Sequence, residues 1–458
     1  MKIIILGAGQ VGGSLAERLT DENNDITVVD KDADVLRNLQ DHLDINTVAG
    51  DSAHPETLRK AGADEADMLI AVTNSDEINM MACQVAHSLF NTPTKISRIR
   101  SQNYLSHKAD LFLDDHIPVD VIIGPEELIT RNIGQLIAHP GSLQALDFAN
   151  QRAQLVAVRV QPGAPIVGQA LKEIRAHMPK VDARVAAIYR QDTPIIPVGT
   201  TIIEEGDEVF FIAATADIQA VVAELTAVHD RYNRILIAGG GNIGSTLAES
   251  LEAKYNVKII EKSHSRCKLL SERLRETIVL EGSASDPQLL TEEGIESIDV
   301  FCALTDNDES NIMMSMLAKR LGARKVITLI SNSTYADLIG DEIDIPISPQ
   351  QITIGSLLAH IRRGDVSVVH SLRRGVAEAM ELIAHGDKKS SRVVGRRLDE
   401  IGLPHGVTIG AVVRGKEVFI AHDHIIIEPD DHVILFVTDK THIPKVEKLF
   451  AVEFGFFS

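Results

Sequence analysis

The sequence predicts an α/β protein with two tandem Rossmann-like domains, each a doubly wound parallel sheet and each followed by a small α+β domain. Three observations predict this A–B–A′–B′ organisation: a glycine-rich loop occurs twice, strands alternate with helices after each loop, and a shorter strand-rich stretch follows each alternating region. Strands that alternate with helices form parallel sheets covered on both faces. The predicted domains are residues 1–125, 140–227, 232–350 and 366–453.

The chain is an internal duplication, because several stretches of the first half recur in the same order in the second. GAGQVG at Gly7–Gly12 aligns with GGGNIG at Gly239–Gly244, and TVAGDSAHPETLRKAG aligns with VLEGSASDPQLLTEEG. MLIAVTNSDEINMMA aligns with VFCALTDNDESNIMM, and VGQALKEI of the first B region aligns with VGRRLDEI of the second. Recurrence over this length indicates duplication and not a chance similarity of two loops.

Short runs rich in β-branched residues predict the strands. In the first A region these are Lys2–Leu6, Ile26–Val29, Thr47–Ala49, Met68–Val72, Lys95–Arg100 and Val119–Ile123. The first B region contains LVAVRV, ARVAAIYR and DEVFFIA between turn residues, which predicts a small α+β module. Two amphipathic stretches, ELITRNIGQLIAHPG and QITIGSLLAHIRRGD, predict helices that connect A to B and A′ to B′.

Composition excludes several classes of protein. The formal net charge of the 458-residue chain is −20, which argues against a nucleic-acid partner. A run of about 18 apolar residues, the length needed to cross a bilayer, does not occur, and MKIIILGAGQ predicts a first strand and not a signal peptide. The three cysteines lack metal-type spacing, so no metal site is predicted. We therefore expect a cytoplasmic protein.

The two glycine loops have the G-x-G-x-x-G pattern of dinucleotide-binding proteins. The first glycine permits a tight turn, the second lets backbone N–H groups approach a pyrophosphate, and the third lets the helix pack closely on the strand. The N-terminus of that helix attracts the anion. The alternative is a tight turn that binds nothing. The candidate loop residues are Gly7, Ala8, Gly9, Gln10, Val11 and Gly12 in the first copy, and Gly239, Gly240, Gly241, Asn242, Ile243 and Gly244 in the second.

An acidic residue ends the second strand of each A region. Asp30 and Glu261 each lie about 20 residues beyond the middle glycine of the loop, where a carboxylate accepts hydrogen bonds from ribose hydroxyls. The same carboxylate would repel a 2′-phosphate, so NAD is favoured over NADP. Lys31 and Lys262 follow directly and would weaken this preference.

The segment VTNSDE follows the fourth strand of the first copy, at the point where ligands lie in such sheets. Thr73 and Asn74 are candidates to contact the nucleotide, with helix capping by Ser75 or Asn74 as the alternative. Asp76 and Glu77 are expected to be a solvated helix start and not a catalytic acid pair.

The linings of the two predicted crevices differ. Asp51, a candidate for the adenosine end, aligns with Ser283 in the second copy. Arg98–Arg100 aligns with Thr328–Ile330, so the second copy has no arginine there. Arg98 is predicted either to contact the nucleotide phosphates or to pair with nearby carboxylates. The two crevices therefore need not bind the same nucleotide.

A dehydrogenase needs a proton donor or acceptor, typically His or Lys, beside the nicotinamide. Neither B region supplies a convergent set of such residues, so an enzyme is disfavoured and catalytic residues are not predicted. Two intact loops without catalytic groups favour a sensor whose output is a change of shape. An NAD-dependent oxidoreductase remains the alternative from a different class.

GAGQVGGSLAERL, VVDKD, GDSAHPETLRKAGADEADMLIAVTNSDEINMMAC and the VG…L…I pattern of the B regions resemble the regulator-of-potassium-conductance family, RCK or KTN. The resemblance covers essentially the whole chain. It implies a regulatory subunit on the cytoplasmic face of the inner membrane, docked on an integral-membrane potassium transporter subunit of the TrkH type. It also implies a homo-oligomeric, tetrameric ring that binds NAD or NADH and the adenine nucleotides ATP and ADP. A regulator of a different ion channel remains an alternative.

The family's ligand residues carry over to both copies. Those of the first crevice are Gly7–Val11, Asp30, Thr73, Asn74 and Arg98, and those of the second are Gly239–Ile243, Glu261 and Thr305.

Overall fold

A computed structural model describes residues 1–452, except positions 21, 23, 174–180, 192, 196, 227–230, 340–341, 363–364, 374–375 and 423. The chain divides into two compact units. The first comprises Met1–Leu128 with Ile352–His360, and the second comprises Ile129–Gln351 with the residues from Ile361 onward. The first unit therefore contains the first A region, and the second contains A′ and both B regions.

The first unit contains a six-stranded parallel sheet. Its strands are β1 Lys2–Leu6, β2 Asp25–Asp30, β3 Asn46–Ala49, β4 Met68–Ala71, β5 Thr94–Arg98 and β6 Val121–Ile123. They lie in the order β3-β2-β1-β4-β5-β6. Its α-helices are Gln10–Thr20, Ala33–His42, Pro55–Lys60, Asp76–Val85, Gln102–Leu105 and Lys108–Leu111. Because the order reverses between β1 and β4, a crevice lies at the carboxyl ends of these two strands.

Burial explains the central strands of this sheet. β1 and β4 are apolar and buried along almost their whole length, as strands covered on both faces must be. Polar residues begin where β4 ends. There the Ser75 hydroxyl accepts the Ile78 N–H, so Ser75 and not Asn74 caps the helix Asp76–Val85.

The A′ region repeats this sheet within the second unit. Its strands are β12 Arg234–Ala238, β13 Asn256–Glu261, β14 Ile278–Glu281, β15 Val300–Ala303, β16 Lys325–Leu329 and β17 Ile345–Ile347. They lie in the order β14-β13-β12-β15-β16-β17. Its helices are Asn242–Leu251, His264–Arg273, Pro287–Glu292, Asp308–Arg320 and Ser333–Leu338. The predicted pair of Rossmann-like sheets is confirmed.

Each B region forms a five-stranded antiparallel sheet with a helix. The strands of the first are β7 Ser142–Phe148, β8 Ala153–Arg159, β9 Ala183–Arg190, β10 Thr193–Ile195 and β11 Glu208–Ala214. Those of the second are β18 Val366–Leu372, β19 Ala377–Ile383, β20 Val407–Arg414, β21 Glu417–Ile420 and β22 His432–Val437. The orders β10-β9-β11-β8-β7 and β21-β20-β22-β19-β18 are equivalent, which confirms the α+β duplication. The helices of these domains are Ile218–Leu225 and Ile443–Phe450, and the connecting helices are Pro125–Ala138 and Pro349–Ile361.

The two B sheets share one hydrophobic core inside the second unit. Phe148 and Phe210 of the first sheet lie in the same buried cluster as Phe436 of the second, and the rings of Phe210 and Phe436 are 5.7 Å apart. The carboxylate of Glu381, itself buried, accepts the Ala149 N–H of the other B domain. Each small domain therefore buries one sheet face against its copy.

Within the described residues, no helix combines the length and the apolar character needed to cross a membrane. The three cysteines are buried and unpaired by disulfides. Burial raises the pKa of Cys83 and of Cys302 to about 12, so both are protonated at neutral pH.

Candidate nucleotide-binding sites

The first glycine loop has a conformation that glycine alone adopts easily. Gly7 has φ +101° and donates its N–H to the Val29 carbonyl at 2.8 Å, which ties the loop to β2. A Cβ on Gly12 would lie 1.8 Å from the Gly7 carbonyl oxygen. The helix after the loop therefore packs against it at a distance that no side chain permits.

The helix that begins at Gln10 has its N-terminus directly after the glycine loop, where the positive end of the helix dipole attracts an anion. Gly13 donates to the Gly9 carbonyl at 2.8 Å, which closes the first turn. Gly9 and Gln10 are exposed, and a Cβ on Gly9 would meet nothing within 4 Å. This is the geometry of an anion site.

Asp30 is held against the loop. One carboxylate oxygen accepts the Ala8 N–H at 2.7 Å, and the other accepts the Asp32 N–H at 2.9 Å. A carboxylate has about four lone-pair sites, so both oxygens can also accept hydrogen bonds from ribose hydroxyls. The structure thus places the predicted ribose acceptor beside the predicted phosphate loop.

Lys31 and Asp51 form an ion pair at 2.9 Å at the same end of the sheet. The hydrogen bond from Lys31, followed by that from the Ala53 N–H, lowers the pKa of Asp51 below its usual value. Lys31 is therefore paired with Asp51, whereas the carboxylate of Asp30 accepts hydrogen bonds from the backbone.

The ends of β4 and β5 are joined by a buried asparagine that the sequence reasoning missed. The Asn79 amide oxygen accepts the Thr73 N–H at 3.0 Å and its hydroxyl at 2.6 Å, while the amide nitrogen donates to the Arg98 carbonyl at 2.9 Å. The signal was present, because the aligned helix of the second copy has Asn311 at the same place. Thr73 is therefore fixed by hydrogen bonds before any ligand binds.

Arg98 lies against the end of β4. Its Nη2 donates to the Thr73 carbonyl at 2.6 Å, and burial lowers its pKa. Its buried Nε has no hydrogen-bond partner among the residues that the structure describes. A buried unpaired donor is costly, and an anionic ligand or water would satisfy it. Asn74, which follows Thr73 in the chain, is exposed.

The expectation of a solvated acid pair is wrong for Asp76. Its carboxylate is 8% exposed and accepts the N–H groups of Arg100 and Ser101 at 2.8–3.0 Å. Glu77 is exposed, as expected. Asp76 faces inward because the loop after β5 needs an acceptor for its backbone N–H groups.

The second loop repeats this frame. Gly239 has φ +107°, and a Cβ on Gly244 would lie 1.9 Å from the Gly239 carbonyl oxygen. Glu261 accepts the Gly240 N–H and the Ser263 N–H, both at 2.8 Å. Gly241, Asn242 and Lys262 are exposed and Ile243 is half-buried.

The fourth strand of the second copy ends in the same network. The Thr305 N–H and hydroxyl donate to Asn311 at 3.0 and 2.6 Å, and Asn311 donates to the Leu329 carbonyl at 3.0 Å. Leu329, and not Thr328, therefore occupies the position of Arg98. The alignment of Arg98–Arg100 with Thr328–Ile330 was wrong by one residue, since the network fixes a register that sequence letters alone left open.

The second crevice contains an arginine that the sequence reasoning missed. Arg266 donates from Nε to the Gly240 carbonyl at 2.7 Å and from Nη2 to the Asn242 amide oxygen at 3.4 Å. Asp32 and Ser263 are equivalent cap positions, so the first copy has Val35 where the second has Arg266. Among the described residues, Arg98 therefore lies at the first crevice and Arg266 at the second, on different walls.

Comparison with known proteins assigns the chain to a family. The TrkA-N domain matches residues 3–125 and 235–349, and the TrkA-C domain matches residues 155–226 and 387–451. The chain belongs to the TrkA family. It is 62% identical over 458 residues to a Trk system potassium uptake protein of Halomonas elongata and 57% identical over 451 residues to one of Vibrio alginolyticus, with 100% and 98% of each chain covered.

Solved structures with the same fold include the GsuK RCK domain, with a TM-score of 0.61 at 17% identity over 98% of this chain and 94% of the other. The GsuK channel bound to NAD has a TM-score of 0.59 at 17% identity over 98% and 78%. At this identity the likeness concerns the fold. The predicted family resemblance is confirmed by the TrkA-N and TrkA-C matches, and the GsuK RCK domain has the same fold.

Proposed function

We propose that this chain is a regulatory subunit of a potassium uptake system, and that it binds adenine nucleotides in its two crevices. The observation that carries the proposal is the pair of glycine loops. In each, a carboxylate accepts a hydrogen bond from the N–H of the second loop residue, Asp30 from Ala8 and Glu261 from Gly240. This pair occurs in a chain similar over its whole length to Trk system potassium uptake proteins. The proposed location is the cytoplasmic face of the inner membrane.

The residues of both crevices fit a nucleotide. The helix N-terminus after each loop suits a pyrophosphate, and Asp30 or Glu261 suits an adenosine ribose. NAD, NADH, ATP and ADP all share these two groups. A GsuK channel of similar fold is described as bound to NAD. The two crevices need not hold the same ligand, because they have different residues at the positions of Arg98, Asp51 and Arg266.

The proposed role is conformational and not catalytic. A ligand shifts an equilibrium between two shapes only by its different affinity for them. We propose a homo-oligomeric, tetrameric ring docked on an integral-membrane subunit of the TrkH type. Nucleotide exchange in the crevices would change the ring and so gate potassium flux.

The test starts with calorimetric titration of NAD, NADH, ATP and ADP into the full chain. Asp30→Ala and Glu261→Ala are each expected to weaken binding at their own crevice by about 10- to 100-fold, because each removes charged hydrogen bonds. Asp44→Ala is the matched control, since it removes an exposed carboxylate of the first A region. Binding by Asp44→Ala should equal that of the wild type.

Potassium flux into vesicles that carry a TrkH-type subunit is the second readout. We expect nucleotide-dependent flux with the wild-type chain and nucleotide-independent flux with the Asp30→Ala/Glu261→Ala chain. Flux that responds to the same nucleotide concentrations in the Asp30→Ala/Glu261→Ala chain as in the wild type would contradict the proposed mechanism. A wild-type chain that binds none of the four nucleotides would contradict the proposed ligands.

A further inference from the structure

We infer that Arg266 contacts ligand phosphate in the second crevice and makes that crevice selective for phosphate-bearing adenine nucleotides over adenosine. This inference rests on the proposed function, because it takes nucleotide binding at the second loop as given. It adds a residue outside the glycine loop and a charge that the first crevice lacks at that wall.

The guanidinium of Arg266 is oriented by the loop itself. It reaches from the helix His264–Arg273 to the Gly240 carbonyl at 2.7 Å and to Asn242 at 3.4 Å. Both partners lie at the start of the helix whose N–H groups form the predicted anion site. A phosphate held by those N–H groups would therefore lie beside a cation that is already in place.

The side chain retains donors for a ligand. A guanidinium has five N–H donors in a planar fork, and the loop engages only part of that fork. The space above the loop is open, because a Cβ on Gly241 would meet nothing within 4 Å. Arg266 is half-buried. Its attraction for an anion is stronger there than in bulk water, because the effective dielectric constant is lower near the protein.

The first crevice places its arginine on the opposite side. Arg98 ends β5 and donates to the Thr73 carbonyl, whereas Leu329 takes that position in the second copy. Val35 takes the position of Arg266 in the first copy. The two crevices therefore offer positive charge to different parts of a bound nucleotide.

The test uses Arg266→Gln in a full chain whose first crevice is weakened by Asp30→Ala, so that the tighter binding step reports the second crevice. Glutamine retains an N–H donor for the Gly240 carbonyl but removes the charge. We expect the affinity for ADP, ATP and NAD to fall on the order of 10-fold. The affinity for adenosine, measured by competition, should stay the same, and the dependence of ADP binding on salt should become weaker.

Lys268→Gln is the matched control, because it removes one positive charge from an exposed position of the same helix. It should leave ADP affinity and its salt dependence unchanged. Equal melting temperatures of the variants would show that the chains remain folded.

Three results would overturn the inference. If Arg266→Gln binds ADP like the parent chain while Arg266→Val does not, Arg266 only braces the loop. If Arg266→Gln weakens adenosine and ADP equally, phosphate is not what Arg266 contacts. A parent Asp30→Ala chain that binds no nucleotide would instead overturn the proposed function at the second crevice, and this inference with it.

Discussion

The two crevices share a backbone frame but differ in the charges that line them. Both have a left-handed glycine, a helix packed on the loop, an acid bonded to the loop N–H, and an asparagine that joins two strand ends. The lining differs where a ligand would be contacted, at the positions of Asp51, Arg98 and Arg266. The comparison teaches that the same backbone geometry forms both crevices, whereas the side chains that line them differ.

The largest expected effect tests the shared frame. Gly12→Ala and Gly244→Ala would each place a Cβ less than 2 Å from a loop carbonyl oxygen. We expect a loss of about 3 kcal/mol in the stability of the altered domain, and loss of one nucleotide per chain. Thermal unfolding and calorimetric stoichiometry measure these effects. Gly9→Ala is the control for stability alone, since its Cβ meets open space in the protein. If either variant still binds two nucleotides per chain, the claim that both crevices depend on this loop geometry is wrong.

The next effect concerns the buried asparagines. Asn79→Ala and Asn311→Ala each leave a threonine N–H and a strand-end carbonyl without their partner. The expected cost is about 2 kcal/mol in each copy. Denaturant unfolding measures it, and exposed Asn74→Ala should cost far less. If the two variants lose clearly different free energies of unfolding, the hydrogen-bond network stabilises only one copy.

A smaller effect tests the divergent lining. Arg98→Leu gives the first crevice the residue of the second. We expect nucleotide affinity at the first crevice to fall on the order of 10-fold, with the second crevice unchanged. Calorimetry in the Glu261→Ala background isolates the first crevice. Arg98→Lys should recover part of the loss because it keeps the charge. If Arg98→Leu binds nucleotide as tightly as the parent chain, the difference between Arg98 and Leu329 does not affect binding.

The smallest effect is pH-dependent. The pKa of Asp51 is lowered in the folded chain, chiefly by Lys31, so the pair stabilises the fold above the unfolded pKa of about 4 and loses this contribution as the pH falls through the folded value. Asp51→Ser, which copies Ser283, should cost about 0.5 kcal/mol at pH 7. The difference from wild type should shrink below about pH 4. A difference that grows on acidification would contradict this account.

Much of each site was predictable because its signals are local. A glycine loop between a strand and a helix, followed by an acid at the end of the next strand, determines Asp30 and Glu261 without knowledge of the fold. Asp76 was mispredicted because its partners, the N–H groups of Arg100 and Ser101, lie on a different strand end. Arg266 was missed because its contact with the loop depends on how one helix packs on another element.

The sequence by itself determined the duplication, the two parallel sheets and the phosphate loops, because hydrophobic period and turn chemistry act over a few residues. Only the tertiary structure decided what covers the B sheets. The sequence predicted their strands, but the hydrophobic effect has no direction, so any apolar surface could have covered them. The structure pairs each face with its copy and adds polar specificity, since buried Glu381 accepts both the Ala149 N–H and a hydrogen bond from His432.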